Sequence, residues 1–199
     1  MANIPDIQEI ERYHHKYSPN DKVYDLVYGH CKIVTEIALW CAGNLKNENV
    51  NAKLLEAAGL LHDIGSYAFF DNEGRVLNKR LYPQHAILGA KILADEGIDE
   101  RVTELIASHV LLGLTKQEII DTPWYLPERD YEPQTIEGEI LCYADRFHSK
   151  HPTFNAYETF LQRLKRSFPL QAKKFENWSE RFGIPDVPGL ANKYGQPVR

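Results

Sequence analysis

Histidines and aspartates recur in this sequence at positions where apolar residues would be expected. His62 and Asp63 follow two leucines in the stretch AGLLHDIGS, and similar positions in other apolar runs hold His30, His85, His109 and Asp145. Burial of such groups without partners costs several kcal/mol. Imidazole nitrogens and carboxylate oxygens are ligands of divalent metals, whose charge offsets the burial of the carboxylates. We therefore predict that these six residues form a metal site.

The adjacent pair His62 and Asp63 restricts the geometry of this site. Neighbouring side chains on a helix point about 100° apart, so the two can share an ion only at one edge. Alternatively, Asp63 reaches sideways and bridges to a second ion. Each residue also has a simpler interpretation, as a hydrogen-bonded core histidine, a helix cap, or an ion pair of Asp145 with Arg146. Six unrelated buried polar groups in one small domain make a common explanation preferable.

Helices must bring these residues together, because helical periodicity dominates the chain. We predict helices over 21–45, 52–64 with a stop at Gly65, 83–97, 100–112, 135–150, 155–167 and 170–182. Residues 67–82 are predicted as a loop or small hairpin. Residues 121–134 contain three prolines and are predicted to be irregular, as a candidate flap over a site. The expected fold is all-α, one domain over 1–199, with a metal-binding core at about 21–150 and accessory helices at 151–199.

Composition restricts the possible partners. The chain has 199 residues, 43% of them hydrophobic, and a net charge of −5, without a run of basic residues that could follow a long nucleic acid. Its three cysteines (Cys31, Cys41 and Cys142) show no CxxC spacing, which argues against a disulfide framework. No signal peptide or apolar span of membrane length is present, so we expect a cytoplasmic protein without a membrane partner.

The order of the six residues, with HDIG and YADRF around them, resembles the HD superfamily of metal-dependent phosphohydrolases over about residues 25–150. The two intervening histidines resemble the binuclear subset, which includes HD-type cyclic-dinucleotide phosphodiesterases and dinucleoside tetraphosphate hydrolases. The resemblance implies a helical bundle with two divalent ions (iron, manganese, zinc, cobalt or nickel). The first ion would be held by His30, His62, Asp63 and Asp145. Asp63 would bridge to the second, which His85 and His109 would also hold.

The same resemblance implies an activity. A metal-activated hydroxide would attack a phosphomonoester or phosphodiester, which we expect to belong to a nucleotide or dinucleotide, with His62 and Asp63 at the catalytic centre. Candidate cations for the remaining phosphate oxygens are Arg146, Lys150, Lys79 and Arg80. His148 is a candidate partner of a metal ligand or proton donor. We predict that His14, His15 and His151 lie at the surface.

The substrate and the reaction class stay open at this point. Ser66 stands where many cyclic-dinucleotide phosphodiesterases of this type have a lysine, and the acidic residues that other subgroups place just after HD are absent. The ligand set also resembles that of mixed-valent di-iron oxygenases, although Gly113 and Ser66 occupy positions where those enzymes would have a lysine and a histidine. A non-catalytic nucleotide-binding sensor is the third interpretation. The sequence does not determine the oligomeric state.

Overall fold

A computed structural model describes residues 3–122 and 124–199. The architecture is all-α, as predicted. The helices are α1 (Ile7–Tyr17), α2 (Asp21–Asn44), α3 (Ala52–Leu61), α4 (His85–Asp95), α5 (Glu100–Ser108), α6 (Lys116–Asp121), α7 (Ile136–Ala144), α8 (Tyr157–Ser167), α9 (Pro169–Phe182) and α10 (Val187–Tyr194). Short 3₁₀ helices span Ile64–Phe69, Tyr82–Gln84 and Asp145–Phe147, and a two-residue antiparallel pair joins β1 (His148–Ser149) and β2 (Thr153–Phe154).

Helix α2 is the centre of the bundle. The Asn20 side chain accepts a hydrogen bond from Val23 N, 3.0 Å away, and so caps the free amides of the first turn. Val23, Val27, Val34 and Cys41 then form a buried stripe at helical spacing. Helix α2 packs against α3 and α7, while α5 packs against both α3 and α4. His30 belongs to the same stripe and is therefore carried into the interior.

Several helices end earlier than the sequence predicts, and they end at the candidate ligands. Helix α3 stops at Leu61, α5 at Ser108 and α7 at Ala144. The prediction of a helix through residue 150 was wrong because His148 and Ser149 pair with β2 instead. The predicted helix stop at Gly65 was also wrong, because α3 already ends at Leu61. Gly65 lies in a 3₁₀ helix, where an added Cβ would stand 2.2 Å from His85 O, so the glycine allows two backbones to touch.

Three short helices of the structure were not predicted from the sequence. Helices α1, α6 and α10 lie outside the predicted elements. The segment 67–82 contains one isolated antiparallel bridge, between Phe70 and Val76, as a small hairpin would. Residues 124–134 are irregular, as predicted. Within the described residues, no helix combines the length and apolarity needed to cross a membrane.

His14 is buried, which contradicts its predicted surface position. Its Nε2 lies 2.8 Å from Leu60 O and its Nδ1 lies 2.7 Å from the Tyr67 hydroxyl. Helical spacing places His14 on the same face of α1 as Ile10, and that face packs against α3. His15 and His151 are exposed, as predicted. His14 therefore connects α1 to the end of α3, just before the HD pair.

The C-terminal helices pack onto the same core. Phe175 and Phe182 of α9 are fully buried, and Ala191 of α10 belongs to the same apolar cluster as the stripe of α2. The Tyr143 hydroxyl of α7 donates a hydrogen bond to Gly183 O at 2.8 Å. All three cysteines are buried as free thiols. The segment beyond residue 150 is thus packed against the helices that position the candidate ligands.

Candidate metal centre

The structure brings the six predicted ligands together. Five of them stand at helix ends, where a turn can aim a side chain inward, and the sixth, His30, projects from the middle of α2. Five are buried, and the side chain of Asp145 is 10% exposed. Three overlapping groups place their ligand atoms within 4.8 Å of one another: His30, His62 and Asp63; His62, His109 and Asp145; Asp63, His85 and His109.

One group gathers around Oδ2 of Asp63. His30 Nε2 lies 3.2 Å from this oxygen and 3.0 Å from Asp145 Oδ1. His62 Nε2 lies 3.4 Å from the same Asp63 oxygen and 3.2 Å from His30 Nε2. Two imidazoles and two carboxylates therefore turn their lone pairs toward one point.

A second group gathers around the other oxygen of the same carboxylate. Asp63 Oδ1 lies 3.0 Å from His85 Nε2 and 3.6 Å from His109 Nε2. The two imidazole nitrogens are themselves 3.0 Å apart. Asp63 thus stands between two pairs of histidines and offers one oxygen to each pair, as a bridging carboxylate would.

Backbone carbonyls fix the tautomers of three of these histidines. The Nδ1–H groups of His62, His85 and His109 donate to the carbonyl oxygens of Gly59, Tyr82 and Ile106, at 2.8, 2.6 and 2.6 Å. Whenever one of these rings is neutral, it consequently carries its lone pair on Nε2, the nitrogen that faces the centre. His85 and His109 then point two lone pairs at each other, an arrangement that a shared cation stabilises.

The Asp63 carboxylate provides a direct test of whether these residues fit a metal. Both of its oxygens are buried: the Lys150 ammonium contacts Oδ2, whereas Oδ1 faces only imidazole nitrogens and accepts no hydrogen bond of normal geometry from any described residue. An ionised carboxylate in that position needs a compensating positive charge. Neutral imidazoles and carboxylates are also the donor set that borderline divalent metals prefer. The residues present therefore fit a divalent metal.

The electrostatics of the protein alone also favour positive charge at this point. Burial lowers the pKa of His30 and His109 to about 3, so both stay neutral. Burial opposes ionisation of Asp63, yet the Lys150 ammonium and His62 hold its pKa well below the usual range. Burial likewise opposes a charge on His62, but the Asp63 carboxylate outweighs it and raises the His62 pKa to about 10.

Two of the four predicted cations reach the centre. The Arg146 guanidinium contacts Asp145 Oδ2, and the Lys150 ammonium contacts Asp63 Oδ2 and lies 5.3 Å from the centre of the Tyr82 ring. Both side chains line a cavity of about 340 Å³ that opens onto His30, His85, His109 and Asp145. Lys79 and Arg80 are exposed and do not line this cavity, so the structure does not bring them to the site.

His148 contacts the candidate ligand His30. Its Nδ1 lies 2.9 Å from His30 Nδ1, and its Nε2 lies 2.7 Å from Gln196 Oε1. Sequence reasoning missed several residues that line the cavity or support it: Gln196, Asn155, Arg199, Trp124 and Phe160. None of them interrupts an apolar stripe, so only the folded chain shows their proximity to the ligands.

Comparisons with known proteins identify the family of this chain. Residues 27–150 match the family model of the HD domain. The chain is 33% identical over 148 residues to the uncharacterized protein MJ0778 of Methanocaldococcus jannaschii, an alignment that covers 72% of this chain and 80% of that protein.

Two further curated relatives are longer proteins. The tRNA (cytidine(56)-2'-O)-methyltransferase of Thermoplasma volcanium is 34% identical over 142 residues, which cover 71% of this chain and 36% of that enzyme. The enzyme of the same name from Picrophilus torridus is 32% identical over 131 residues, which cover 66% of this chain and 34% of that enzyme. The chain thus spans about a third of the length of these two methyltransferases.

Among solved structures, the HD domain of the phosphodiesterase PgpH from L. monocytogenes superimposes with a TM-score of 0.54 and 16% identity. That match covers 94% of this chain and 97% of the other. The same domain in complex with cyclic-di-AMP gives the same TM-score, in a match that covers 96% of this chain and 99% of the other. At this identity the similarity is one of fold. The family model, covering the helices that carry all six residues, shows that the chain belongs to the HD-domain family.

Proposed function

We propose that this protein is a metal-dependent phosphohydrolase that cleaves a phosphomonoester or phosphodiester of a nucleotide or dinucleotide. The observation that carries the proposal is the placement of the buried Asp63 carboxylate between two pairs of imidazoles, with one oxygen toward each pair and only the Lys150 ammonium in contact with it as a counter-charge. A cavity lined by three cationic side chains opens onto three of these imidazoles and onto Asp145. Anion-binding groups beside metal ligands are the combination that phosphoester hydrolysis requires.

The residues divide naturally between two ions. His30, His62 and Asp145 with Oδ2 of Asp63 would hold one, and His85 and His109 with Oδ1 of Asp63 would hold the other. Divalent ions bound there would supply a water of lowered pKa and positive charge for the phosphoryl oxygens. The backbone carbonyls that hold the Nδ1–H groups keep the rings oriented, so the ligand geometry is set before a substrate arrives.

Cationic side chains beside the ligands would hold the phosphate. The Arg146 side chain is 14% exposed, and its Nε is buried without a hydrogen-bond partner among the described residues, although the guanidinium contacts Asp145. An oxygen of a phosphate group would satisfy this donor and pair with the charge. Lys150 stands on the Asp63 side of the same cavity, and Arg199 contributes a third cation to its wall. These residues would orient the ester and neutralise its negative oxygens.

Aromatic side chains favour a substrate that contains a nucleobase. Tyr82, Trp124 and Phe160 line the cavity together with the cations. Stacking of a base on an aromatic ring contributes about 1–3 kcal/mol without requiring a particular base. The solved complex of the PgpH HD domain with cyclic-di-AMP supports a nucleotide ligand for this fold.

The proposal is tested by metal reconstitution followed by substrate screening. Metal-free protein is loaded with manganese, cobalt, nickel or ferrous iron, and release of nitrophenol is followed from an aryl phosphate and a bis-aryl phosphate. A panel of nucleotides and dinucleotides is then assayed for new phosphate or nucleoside monophosphate. We expect turnover with at least one metal and at least one nucleotide.

Two other outcomes would replace the proposal. Oxygen consumption by the iron-loaded protein without phosphate release would identify an oxygenase of the same fold. Tight nucleotide binding with no turnover under any metal would identify a sensor. Arg146→Ala and the matched surface variant Arg12→Ala, which removes an exposed guanidinium paired with Glu9, show whether turnover depends on the cavity. We expect only the Arg146 variant to lose activity.

A further inference from the structure

The segment 196–199 lies beside β2 and contacts residues next to the candidate metal centre. Helix α10 ends at Tyr194, and Gly195 turns the chain in a left-handed conformation with a φ of 63°. The following residues lie alongside β2: Phe154 N donates to Pro197 O at 2.8 Å, and Arg199 N donates to Phe154 O at 2.9 Å. This pairing fixes the segment beside the hairpin that carries His148.

A continuous chain of side-chain hydrogen bonds runs from this segment to a ligand. Gln196 Oε1 lies 2.7 Å from His148 Nε2, His148 Nδ1 lies 2.9 Å from His30 Nδ1, and His30 Nε2 faces Asp63 and Asp145. The His30 and His148 rings are nearly parallel, 22° apart. The chain therefore joins residues that are far apart in sequence, on α2, β1 and the segment after α10.

Proton positions along this chain follow from the chemistry of the ligand. His30 can bind a cation through Nε2 only if its proton is on Nδ1. That proton is donated to His148 Nδ1, so His148 must carry its own proton on Nε2, where an acceptor is needed. The amide oxygen of Gln196 is that acceptor. With the amide reversed, its NH₂ group would donate to His148, and the proton would be forced onto the metal-facing nitrogen of His30.

We infer that Gln196 is a positioning residue for the ligand His30, and that it acts through His148. The inference rests on the metal centre of the proposed function and extends it to the segment after α10. His62, His85 and His109 use nearby backbone carbonyls for the same purpose, each three residues before the ring in sequence. His30 lies in the middle of a helix, where backbone carbonyls are already bonded, so a side-chain relay takes their place.

The inference is tested with Gln196→Leu, which removes the acceptor, and Gln196→Glu, which keeps it. Asn192→Leu is the matched control, because it exchanges an exposed amide on α10 for the same side chain. Cobalt affinity is measured by competition with a chelator, and the absorption of bound cobalt reports the ligand geometry. We expect the Leu variant to bind cobalt roughly 10–100-fold more weakly, with an altered spectrum. The Glu and Asn192 variants should stay close to the parent protein.

A second readout uses the diamagnetic zinc ion. Nitrogen-15 spectra of histidine side chains in the zinc-loaded protein distinguish the two neutral tautomers, because without a cation the two carboxylates beside His30 Nε2 would themselves hold the proton there. In the parent protein we expect His148 with its proton on Nε2 and His30 with its proton on Nδ1. In the Leu variant His148 should lose that preference, while circular dichroism confirms that the helices remain.

Unchanged cobalt affinity and spectrum in the Leu variant, or unchanged tautomers of His148 and His30, would overturn the role of Gln196. Neither measurement depends on turnover. Suppose that the parent protein binds cobalt and that the Leu variant differs from it as expected, but that no phosphate ester is hydrolysed. This result would contradict the proposed function alone. The two ideas therefore fail separately.

Discussion

At the scale of single residues, Asp63 carries more of the proposed chemistry than any neighbour, because each of its oxygens serves a different pair of histidines. Asp63→Ala should remove the bridge and leave both groups incomplete. We expect turnover to fall by more than about 100-fold, since partners outside the ligand shell alone are worth 10–100-fold. Metal content, measured by elemental analysis, should fall with it.

Asp95→Ala is the matched control for this prediction. Asp95 is an exposed carboxylate that pairs with Lys91 on α4, away from the ligands. Its removal should leave turnover and metal content near the parent values. An Asp63 variant that behaved in the same way would refute the bridging role.

His85 allows the two groups to be separated. His85→Ala removes one of two imidazoles at Asp63 Oδ1 and leaves the His30 and His62 side intact. We expect the ratio of metal to protein to fall to about half of the parent value, with turnover lost. His15→Ala, which removes an exposed histidine, should leave the ratio unchanged. An unchanged ratio in the His85 variant would mean that the second ion does not bind there.

The ligands could be predicted from the sequence because each interrupts an apolar pattern, and the cost of burying them demanded an explanation. His14 was misplaced because charged neighbours conceal its spacing of four from Ile10. Gln196 could not have been found in this way. It meets His148 across 48 positions, and it stands between Gly195 and Pro197 in a short tail with no apolar pattern that a polar residue would interrupt. Lys79 and Arg80 show the opposite error, because closeness to His85 in sequence did not bring them to the cavity.

At the scale of elements, the spacing between the 3₁₀ helix Ile64–Phe69 and α4 sets Asp63 against His85. Gly65 and Gly89 touch backbone to backbone, and a Cβ on Gly65 would stand 2.4 Å from Gly89 N. Gly65→Ala should therefore push the two elements apart, at a cost of about 1–3 kcal/mol in the free energy of unfolding. Urea denaturation measures this loss, and metal analysis should show weaker binding at the His85 side.

Gly43→Ala is the control for this packing argument. Gly43 is an exposed residue of α2, and an added Cβ would meet nothing within 4 Å among the described residues. Alanine in a helix is favoured over glycine by roughly 0.5–1 kcal/mol, so this variant should be as stable as the parent or more so. Equal stability of the two alanine variants would contradict the close approach at Gly65.

Helix α1 is attached to the core through a histidine that must stay neutral. Burial lowers the pKa of His14 to about 4, although the bond to Leu60 O opposes the shift. Between this value and the ordinary pKa near 6.5 the unfolded chain binds the proton and the folded chain does not, so stability falls as the pH falls. His14→Gln should remove this contribution. Between about pH 7.5 and pH 5, we expect the free energy of unfolding of the variant to fall by ~2 kcal/mol less than that of the parent protein.

Urea unfolding at the two pH values, on metal-free protein, measures this difference. His15→Gln serves as the control, because the neighbouring histidine is exposed. A parent protein whose stability changes with pH no more than that of the His14 variant would show that His14 titrates normally in the folded state.

At the scale of the whole molecule, we propose that the metal-binding core at about 21–150 and the helices beyond it unfold together. One apolar cluster includes residues of α2, α7, α9 and α10, and the segment 196–199 pairs with β2 beside the ligands. Shared packing of this kind couples the stability of its parts. Sequence patterns predicted most of these helices but not this coupling, which depends on contacts between positions far apart in the chain.

Scanning calorimetry with and without a chelator tests this coupling. We expect one transition in both conditions, because the metal-binding core and the helices beyond it share one apolar cluster whether or not a metal is bound. A ligand present at 100 times its dissociation constant adds about 2.7 kcal/mol to the free energy of unfolding. At this chain length each kcal/mol shifts the Tm by about 2–4 °C. Chelation should thus lower the Tm by roughly 5–10 °C, while the Tm of Asp63→Ala should not respond. Two separated transitions would show independent units, and an unchanged Tm in the parent protein would show that the six residues hold no metal.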